Sequence, residues 1–195
     1  MQEGLSSPAL AIVDMQNDFV QPGGTAHVQM AQGTVPRIRE AASYFRQQGW
    51  PVIYIFRVHR ADGSDAEITR RQLFRKKSGV CVRDSWGAKI VQDLEVVPGD
   101  FILTKQRFSA FMSTELDLLL RRLQVDTLVL AGTQLPNCIR ATAVDALSRD
   151  YMPVVLTDAC SAQDTETAES NIKDMLNMGM HCLPFSGLPS LLEQP

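Results

Sequence analysis

The sequence has no uninterrupted apolar run near the roughly 18 residues that a membrane-spanning helix requires. Residues 1–7 show no basic flank leading into an apolar segment, so we expect no export signal. Positive charge is not in excess either, since 19 Lys and Arg stand against 22 Asp and Glu. This balance argues against nucleic acid or an anionic membrane surface as the main partner. We therefore expect a cytoplasmic protein that acts on a small molecule.

The side chains that usually build metal sites and disulfides are also few, with three histidines, four cysteines and no C-x-x-C pair. The cysteines are Cys81, Cys138, Cys160 and Cys182. Neither His59 nor His181 has a zinc-ligand spacing with them. Thiols in a protein that is not exported normally stay reduced. We predict no disulfide, no metal and no cofactor.

No repeat, low-complexity tract or Pro/Gly-rich linker divides the chain, so residues 1–195 are predicted to form one domain. Short apolar runs alternate with amphipathic helical patterns, which is typical of an α/β fold with a mostly parallel sheet. The predicted strands are Ala9–Asp14, Val52–Val58, Phe101–Thr104, Thr127–Gly132, Val154–Thr157 and Met180–Leu183. The predicted helices are Val35–Gln48, Ser113–Leu123, Asn137–Asp150 and Thr165–Met178.

The connection over residues 59–100 is unusually long for a compact domain, and such connections are often functional. We predict helices at Ala66–Lys77 and Ala88–Asp93 within it. Basic residues concentrate in and beside it: Arg57, Arg60, Arg70, Arg71, Arg75, Lys76, Lys77 and Arg83. The pattern fits a solvated face, a lid, a subunit contact or a wall that attracts an anionic substrate. We expect a homo-oligomer.

Three chemically active side chains follow predicted strands. Asp14 ends the first strand, Lys105 ends the third, and Cys138 follows the fourth at the start of a helix. Ligands of open parallel sheets bind at the carboxyl ends of the strands, and a helix start favours a thiolate. Each residue alone has an ordinary interpretation, as a turn residue, a solvated lysine or a packed thiol. Together they supply a nucleophile, a base and a cation.

Five motifs, in this order and spacing, resemble the isochorismatase-like cysteine hydrolases, a family that contains nicotinamidases and N-carbamoylsarcosine amidase. The motifs are Asp14–Phe19, Lys105–Phe111, Gly132–Cys138, Cys138–Ala146 and Thr157–Ala159. The resemblance extends from Leu10 to about Phe185, and with the predicted elements it implies a three-layer αβα fold with a Rossmann-like six-stranded sheet. It implies that Cys138 is the nucleophile, Asp14 the general base and acid, and Lys105 the cation between them.

The resemblance also implies a cis peptide bond between Thr133 and Gln134. In the family this bond turns backbone N–H groups toward the substrate carbonyl, here those of Gln134 and Cys138, as an oxyanion hole. The implied activity is hydrolysis of a small amide or ureido C–N bond through a thioester. The alternatives are an isochorismatase-type vinyl ether hydrolase and a non-catalytic binding protein on the same fold.

The chain departs from the family pattern in one respect that bears on metals. Metal-dependent nicotinamidases carry Asp-x-His after the second strand and a further His, whereas this chain has Arg57-Val58-His59 and no other histidine in the long connection. This departure supports the prediction of no catalytic metal. The candidate substrate-binding residues are Phe19, Arg60, Gln106 and Phe108. We expect Arg60, or a neighbouring cation, to bind a carboxylate of the substrate.

Overall fold

A computed structural model describes residues 7–76 and 79–193, and for Lys76 its backbone only. Six parallel strands form one sheet in the order β3-β2-β1-β4-β5-β6, which is the Rossmann order. The strands are β1 (Pro8–Val13), β2 (Val52–Arg57), β3 (Phe101–Lys105), β4 (Thr127–Thr133), β5 (Met152–Ser161) and β6 (His181–Leu183). The predicted six-stranded, mostly parallel α/β sheet is confirmed.

Helices cover both faces of the sheet. They are α1 (Asn17–Val20), α2 (Ala31–Gln47), α3 (Arg71–Lys76), α4 (Leu116–Arg122), α5 (Arg140–Leu147), α6 (Thr165–Asn177) and α7 (Leu188–Leu192). A π-helical turn, Leu135–Ile139, precedes α5, and a 3-10 turn, Phe185–Gly187, precedes α7. No helix within the described residues is long and apolar enough to cross a bilayer.

Alternation along β1 shows how the two faces become two cores. Leu10 and Ile12 pack with α2 and α7 on one face, whereas Ala9, Ala11 and Val13 pack with α4, α5 and α6 on the other. Because both faces are covered, every residue of β1 is buried, and the strand is a continuous apolar run. This three-layer αβα arrangement is the one expected from the sequence.

Helix α2 begins four residues before the predicted Val35. Gly33 and Pro36 weaken the helical pattern there, but Ala31 and Thr34 are buried against the core, and this packing extends the helix. Gly49, directly after the helix, has a φ of 72°, the left-handed conformation that glycine commonly adopts at the C-terminal end of a helix.

The long connection departs most from its predicted structure. Only α3 is helical in the first predicted segment, of which Lys77 lies outside the described residues. The second, Ala88–Asp93, is not a helix, because its backbone pairs instead with the chain after β1. Asn17 N donates to Lys89 O at 2.9 Å, and Val91 N donates to Met15 O at 3.1 Å.

The side chains after β1 fasten the same connection. Asp18 accepts hydrogen bonds from Cys81 N at 2.6 Å and from Thr25 N at 3.0 Å, and Asn17 Nδ2 donates to Trp86 O at 2.9 Å. In the motif that begins at Asp14, Asn17 and Asp18 therefore have a structural role, because they hold the long connection against the ends of the strands.

Gly132 provides a test of the close contact between β1 and β4. Its φ is +119°, and a Cβ built there would lie 2.2 Å from Val13 O. Gly99 has a φ of +105° but nothing within 4 Å of its Cβ position. We expect Gly99→Ala to lose about 1–3 kcal/mol of unfolding free energy through backbone strain. Gly132→Ala should lose about 1–3 kcal/mol more through the steric clash. Urea denaturation measures both, and equal losses would contradict this account.

Candidate active site

A cavity of about 330 Å³ opens between the carboxyl ends of β1 and β4. In the Rossmann strand order this is the point where the chain reverses its direction across the sheet. The cavity is lined by Asp14, Phe19, Thr25, Ala26, His27, Val28, Arg70, Leu73, Thr133, Gln134, Cys138 and Gln163. The predicted carboxylate and thiol therefore share one cavity, and Arg70 and Leu73 make the long connection one of its walls.

Asp14 and Lys105 form a buried ion pair. Lys105 Nζ donates to Asp14 Oδ2 at 2.7 Å and to Arg107 O at 3.1 Å, and the two side chains are 0% and 1% exposed. Asp14 stands in the left-handed region, with φ 53°, directly after β1. Its other oxygen, Oδ1, is buried without a hydrogen-bond partner in the structure. One oxygen is thus held by the cation, and the other is free to accept a proton.

Arg57 also belongs to this site, although the sequence indicated it only as one of the basic residues in and beside the long connection and as the residue that stands where relatives have a metal ligand. It ends β2, which lies between β1 and β3, and it is paired in register with Lys105. Its guanidinium is fully buried, with Nε 3.7 Å from Asp14 Oδ2 and Nη2 3.4 Å from Cys138 Sγ. The strand order could have indicated this position, since a residue ending β2 must lie between Asp14 and Lys105.

Several contacts fix the Arg57 guanidinium. Nη1 donates to Glu67 Oε1 at 2.7 Å, and Nη2 donates to the carbonyl of Arg107 at 3.0 Å. Burial disfavours the charged guanidinium, but the Cys138 sulfur and the carboxylates of Asp14 and Glu67 outweigh it and raise the pKa of Arg57. Burial raises the pKa of Glu67, yet the charge and hydrogen bond of Arg57 bring it below its ordinary value. Arginine and glutamate are therefore both charged at neutral pH.

His59 does not fit a metal-ligand role. Its Nε2 lies 3.4 Å from Arg57 Nη1, and its Nδ1 lies 3.3 Å from Asp65 Oδ1. Protonation at Nδ1 satisfies both contacts and leaves no lone pair for a metal, and the guanidinium would repel a cation. Burial and the charge of Arg57 lower the pKa of His59. Within residues 7–76 and 79–193, no three His, Cys, Asp or Glu side chains are grouped to hold a metal. The absence of a catalytic metal stays a prediction.

The predicted helix Asn137–Asp150 placed Cys138 in the first turn of a regular α-helix. In the structure Cys138 lies instead in the π-helical turn that precedes α5. The peptide bond between Thr133 and Gln134 is cis, as the resemblance implied. Thr142 fixes the turn, because its Oγ1 donates to Cys138 O at 2.6 Å and accepts from Ala110 N at 3.0 Å. This threonine connects the cysteine to the segment that follows Lys105.

The other three cysteines differ from Cys138 in their surroundings. Burial raises the pKa of Cys81 and of Cys160 far above the ordinary thiol value. Burial also raises the pKa of Cys182, to about 11. These three thiols are therefore protonated at neutral pH, which disfavours their reaction with electrophiles.

The structure separates the four predicted substrate-binding residues. Phe19 lines the cavity, and the Phe108 ring lies 5.6 Å from the guanidinium carbon of Arg57. Arg60 and Gln106 line a different surface depression. The cation in the cavity wall is Arg70, whose guanidinium carbon lies 4.9 Å from the centre of the Phe108 ring. The basic composition of the connection indicated an arginine here but not which one.

Comparison with known proteins places this geometry in a family. The isochorismatase domain family matches residues 8–184. A curated Arabidopsis thaliana protein named "Probable inactive nicotinamidase" is 39% identical over 183 residues, covering 92% of this chain and 93% of its own. The crystal structure of an isochorismatase family protein from Desulfovibrio vulgaris is 54% identical, with a TM-score of 0.94, and covers 97% of this chain and 100% of its own.

A relative with a named amide-hydrolysing activity is also similar. The crystal structure of N-carbamoylsarcosine amidase from Thermoplasma acidophilum is 30% identical, with a TM-score of 0.78, and covers 91% of this chain and 96% of its own. The match over residues 8–184, the shared fold and these relatives agree. This chain belongs to the isochorismatase-like cysteine hydrolase family.

Proposed function

We propose that this protein is a cysteine-dependent hydrolase that cleaves a C–N bond of a small amide or ureido compound through a thioester. The observation that carries the proposal is the shared cavity of Cys138 and Asp14. Lys105 holds one oxygen of Asp14, and the other has no partner in the structure. A thiol, a carboxylate able to take its proton and a fixed cation are the groups that this chemistry requires.

The reaction proceeds in two halves. Asp14 takes the thiol proton, and the Cys138 thiolate attacks the substrate carbonyl carbon. Collapse of the tetrahedral intermediate breaks the C–N bond, and Asp14 gives its proton to the leaving amine. Asp14 then deprotonates a water molecule that attacks the thioester carbonyl, and the departing sulfur regains a proton. Lys105 keeps the carboxylate oriented throughout.

We assign the oxyanion hole to the backbone N–H groups of Gln134 and Cys138. The support for this assignment is that both residues line the cavity, on the turn that joins β4 to α5. Backbone donors in such a fixed turn need no reorganisation as negative charge develops on the substrate oxygen.

We further propose that the substrate carries an anionic group and that Arg70 binds it. Arg70 lines the cavity, and its Nη1 is buried without a hydrogen-bond partner in the structure. The Phe108 ring beside the guanidinium favours one orientation of that group. A planar guanidinium held in this way suits bidentate binding of a carboxylate.

Loss of the proposed nucleophile provides the first test. Cys138→Ala should abolish ammonia release from every amide or ureido acid that the wild type hydrolyses, while Cys182→Ala stays active. Iodoacetamide at neutral pH should label one thiol per folded wild-type chain and none in Cys138→Ala, because the other thiols stay protonated. Activity in folded Cys138→Ala would exclude the thioester mechanism. Labelling without turnover on any substrate would favour a binding protein, and turnover of a vinyl ether instead would favour the isochorismatase alternative.

The substrate anion is tested with a pair of arginine variants. Arg70→Ala should lower kcat/KM for carboxylate-bearing substrates by about tenfold to a hundredfold, which corresponds to a charged hydrogen bond of about 1.5–3 kcal/mol. Neutral amides, including nicotinamide, should lose much less. Arg60→Ala is the matched control, since this exposed arginine borders a different depression. If Arg60→Ala produced the selective loss instead, or if Arg70→Ala affected both substrate types equally, the assignment to Arg70 would be wrong.

Metal dependence is tested by chelation. We expect full activity after dialysis against EDTA and 1,10-phenanthroline, because Arg57 and Asp65 occupy both ring nitrogens of His59. Elemental analysis of the active protein should give far less than one zinc, iron or manganese per chain. Loss of activity on chelation with recovery on adding one metal would contradict a metal-free mechanism.

A further inference from the structure

The Arg57 guanidinium touches the sulfur that the proposed function makes the nucleophile. Its Nη2 lies 3.4 Å from Cys138 Sγ, and both side chains are buried. At that distance and with both side chains buried, a fixed positive charge acts strongly on the protonation of a thiol. Lys105 is directed instead to Asp14 and to the carbonyl of Arg107. Arg57 also donates to the carbonyl of Arg107 and lies 3.7 Å from Asp14 Oδ2, but Lys105 has the shorter contact with the carboxylate and Arg57 has the contact with the sulfur.

We propose that Arg57 stabilises the Cys138 thiolate, which forms before substrate binds when Asp14 takes the thiol proton, and that Glu67 positions Arg57 for this task. The proposal rests on the proposed function for its importance but not for its test, because thiolate formation is measurable without turnover. It divides the cation role between two residues, with Lys105 serving the carboxylate and Arg57 serving the sulfur.

Glu67 has the geometry of a positioning residue. Its Oε1 accepts from Arg57 Nη1 at 2.7 Å, on the opposite terminal nitrogen from the one that faces sulfur. The carbonyls of Gln106 and Arg107 accept from the same two nitrogens at 3.3 Å and 3.0 Å. Glu67 does not line the cavity, so it acts on the sulfur only through Arg57 and through its own negative charge.

The backbone of Arg57 is held as firmly as its side chain. Gln16 Oε1 accepts from Arg57 N at 2.8 Å, and Gln16 Nε2 donates to Arg57 O at 2.8 Å. The same Nε2 also donates to Ala88 O at 2.7 Å. The backbone from which the guanidinium extends is therefore held by side-chain hydrogen bonds as well as by the sheet.

Other charges surround the thiol and must be counted with Arg57. The charged and titratable groups at the site, from the strand ends and from the long connection, are Asp14, Arg57, His59, Asp65, Glu67, Arg70 and Lys105. Asp14 and Glu67 oppose a thiolate, Lys105 and Arg70 favour one, and His59 is neutral because burial and Arg57 lower its pKa. Among the charge-bearing hydrogen-bond donors in the described part of the chain, Arg57 is the one in contact with the sulfur.

The test measures the rate of Cys138 alkylation by iodoacetamide from pH 4 to pH 10 in Cys81→Ala/Cys182→Ala protein, with folding checked by circular dichroism at each pH. Arg57→Met removes the contacting charge, so the midpoint of the rate profile should rise by about one pH unit or more. Arg57→Lys keeps the positive charge but not the two terminal nitrogens of the guanidinium, so its midpoint should lie between those of the wild type and Arg57→Met. Arg60→Met is the control and should leave the midpoint unchanged.

Glu67→Gln and Glu67→Ala distinguish a positioning role from an electrostatic one. Both remove a negative charge that opposes the thiolate, but only Gln keeps an oxygen that can accept from Arg57 Nη1, so the midpoint of Glu67→Ala should lie above that of Glu67→Gln. The kcat of Glu67→Ala should be the lower of the two, with little change in KM, since Glu67 lies outside the cavity. Equal midpoints in the two variants would overturn the positioning role of Glu67.

If Arg57→Met does not fold, Arg57→Lys decides: a midpoint above that of the wild type supports the proposal, and an unchanged or lower one overturns it. The outcome is separable from that of the proposed function. Absence of turnover with the predicted shifts would refute hydrolysis and keep Arg57 as the thiolate's partner. Turnover without the shifts would keep hydrolysis and refute the role of Arg57.

Discussion

Four charged side chains lie together largely out of water, and the surrounding structure depends on keeping them paired. They are Asp14, Arg57 and Lys105, which are at most 1% exposed, and Glu67, which is 10% exposed. Moving an ion out of water costs several kcal/mol unless partners replace the lost hydration. Here each charge has an opposite charge within 2.7 Å, since Lys105 binds Asp14 and Arg57 binds Glu67. The ends of β1, β2 and β3 must meet for this to occur. The long connection must also close over them, because it supplies Glu67.

The need to pair these four charges also explains the residues that follow Asp14 in its motif. Gln16, Asn17 and Asp18 bind backbone groups of the long connection. They hold it where Glu67 meets Arg57 and where Arg70 and Leu73 border the cavity. A segment of six residues thus supplies a reactive carboxylate at its start and the anchors of a cavity wall just after it. The packing of Gly87 against Asp18 is part of this attachment, since a Cβ there would lie 2.1 Å from the carboxylate.

The sheet was predictable because its strands obey local rules. Buried parallel strands are short apolar runs with helices between them, and Ala9–Asp14 and Val52–Val58 each differ from the structure by a residue at their ends. Asp14, Lys105 and Cys138 were predicted because each follows a strand. The long connection was not predictable, because its backbone bonds to distant residues instead of to itself. Ala88–Asp93 has a helical composition, yet Asn17 and Met15 take its carbonyl and N–H groups.

The directions of individual side chains were also not predictable from the sequence. The sequence identifies Arg60 and Arg70 equally as basic residues of one connection. The three-dimensional path of the chain places Arg70 at the cavity and Arg60 at another depression. Arg57 was recognised as unusual for its place in the sequence, and its contact with Cys138 became visible only with the strand order.

The way in which Gln16 holds position 57 has a consequence for how such sites diversify. The two hydrogen bonds between its side chain and Arg57 are to the peptide N–H and C=O groups and not to the guanidinium. The place of this residue in the sheet is therefore secured independently of the chemistry it presents. A different side chain at position 57 can therefore face the sulfur during evolution while the end of β2 and the long connection keep their positions.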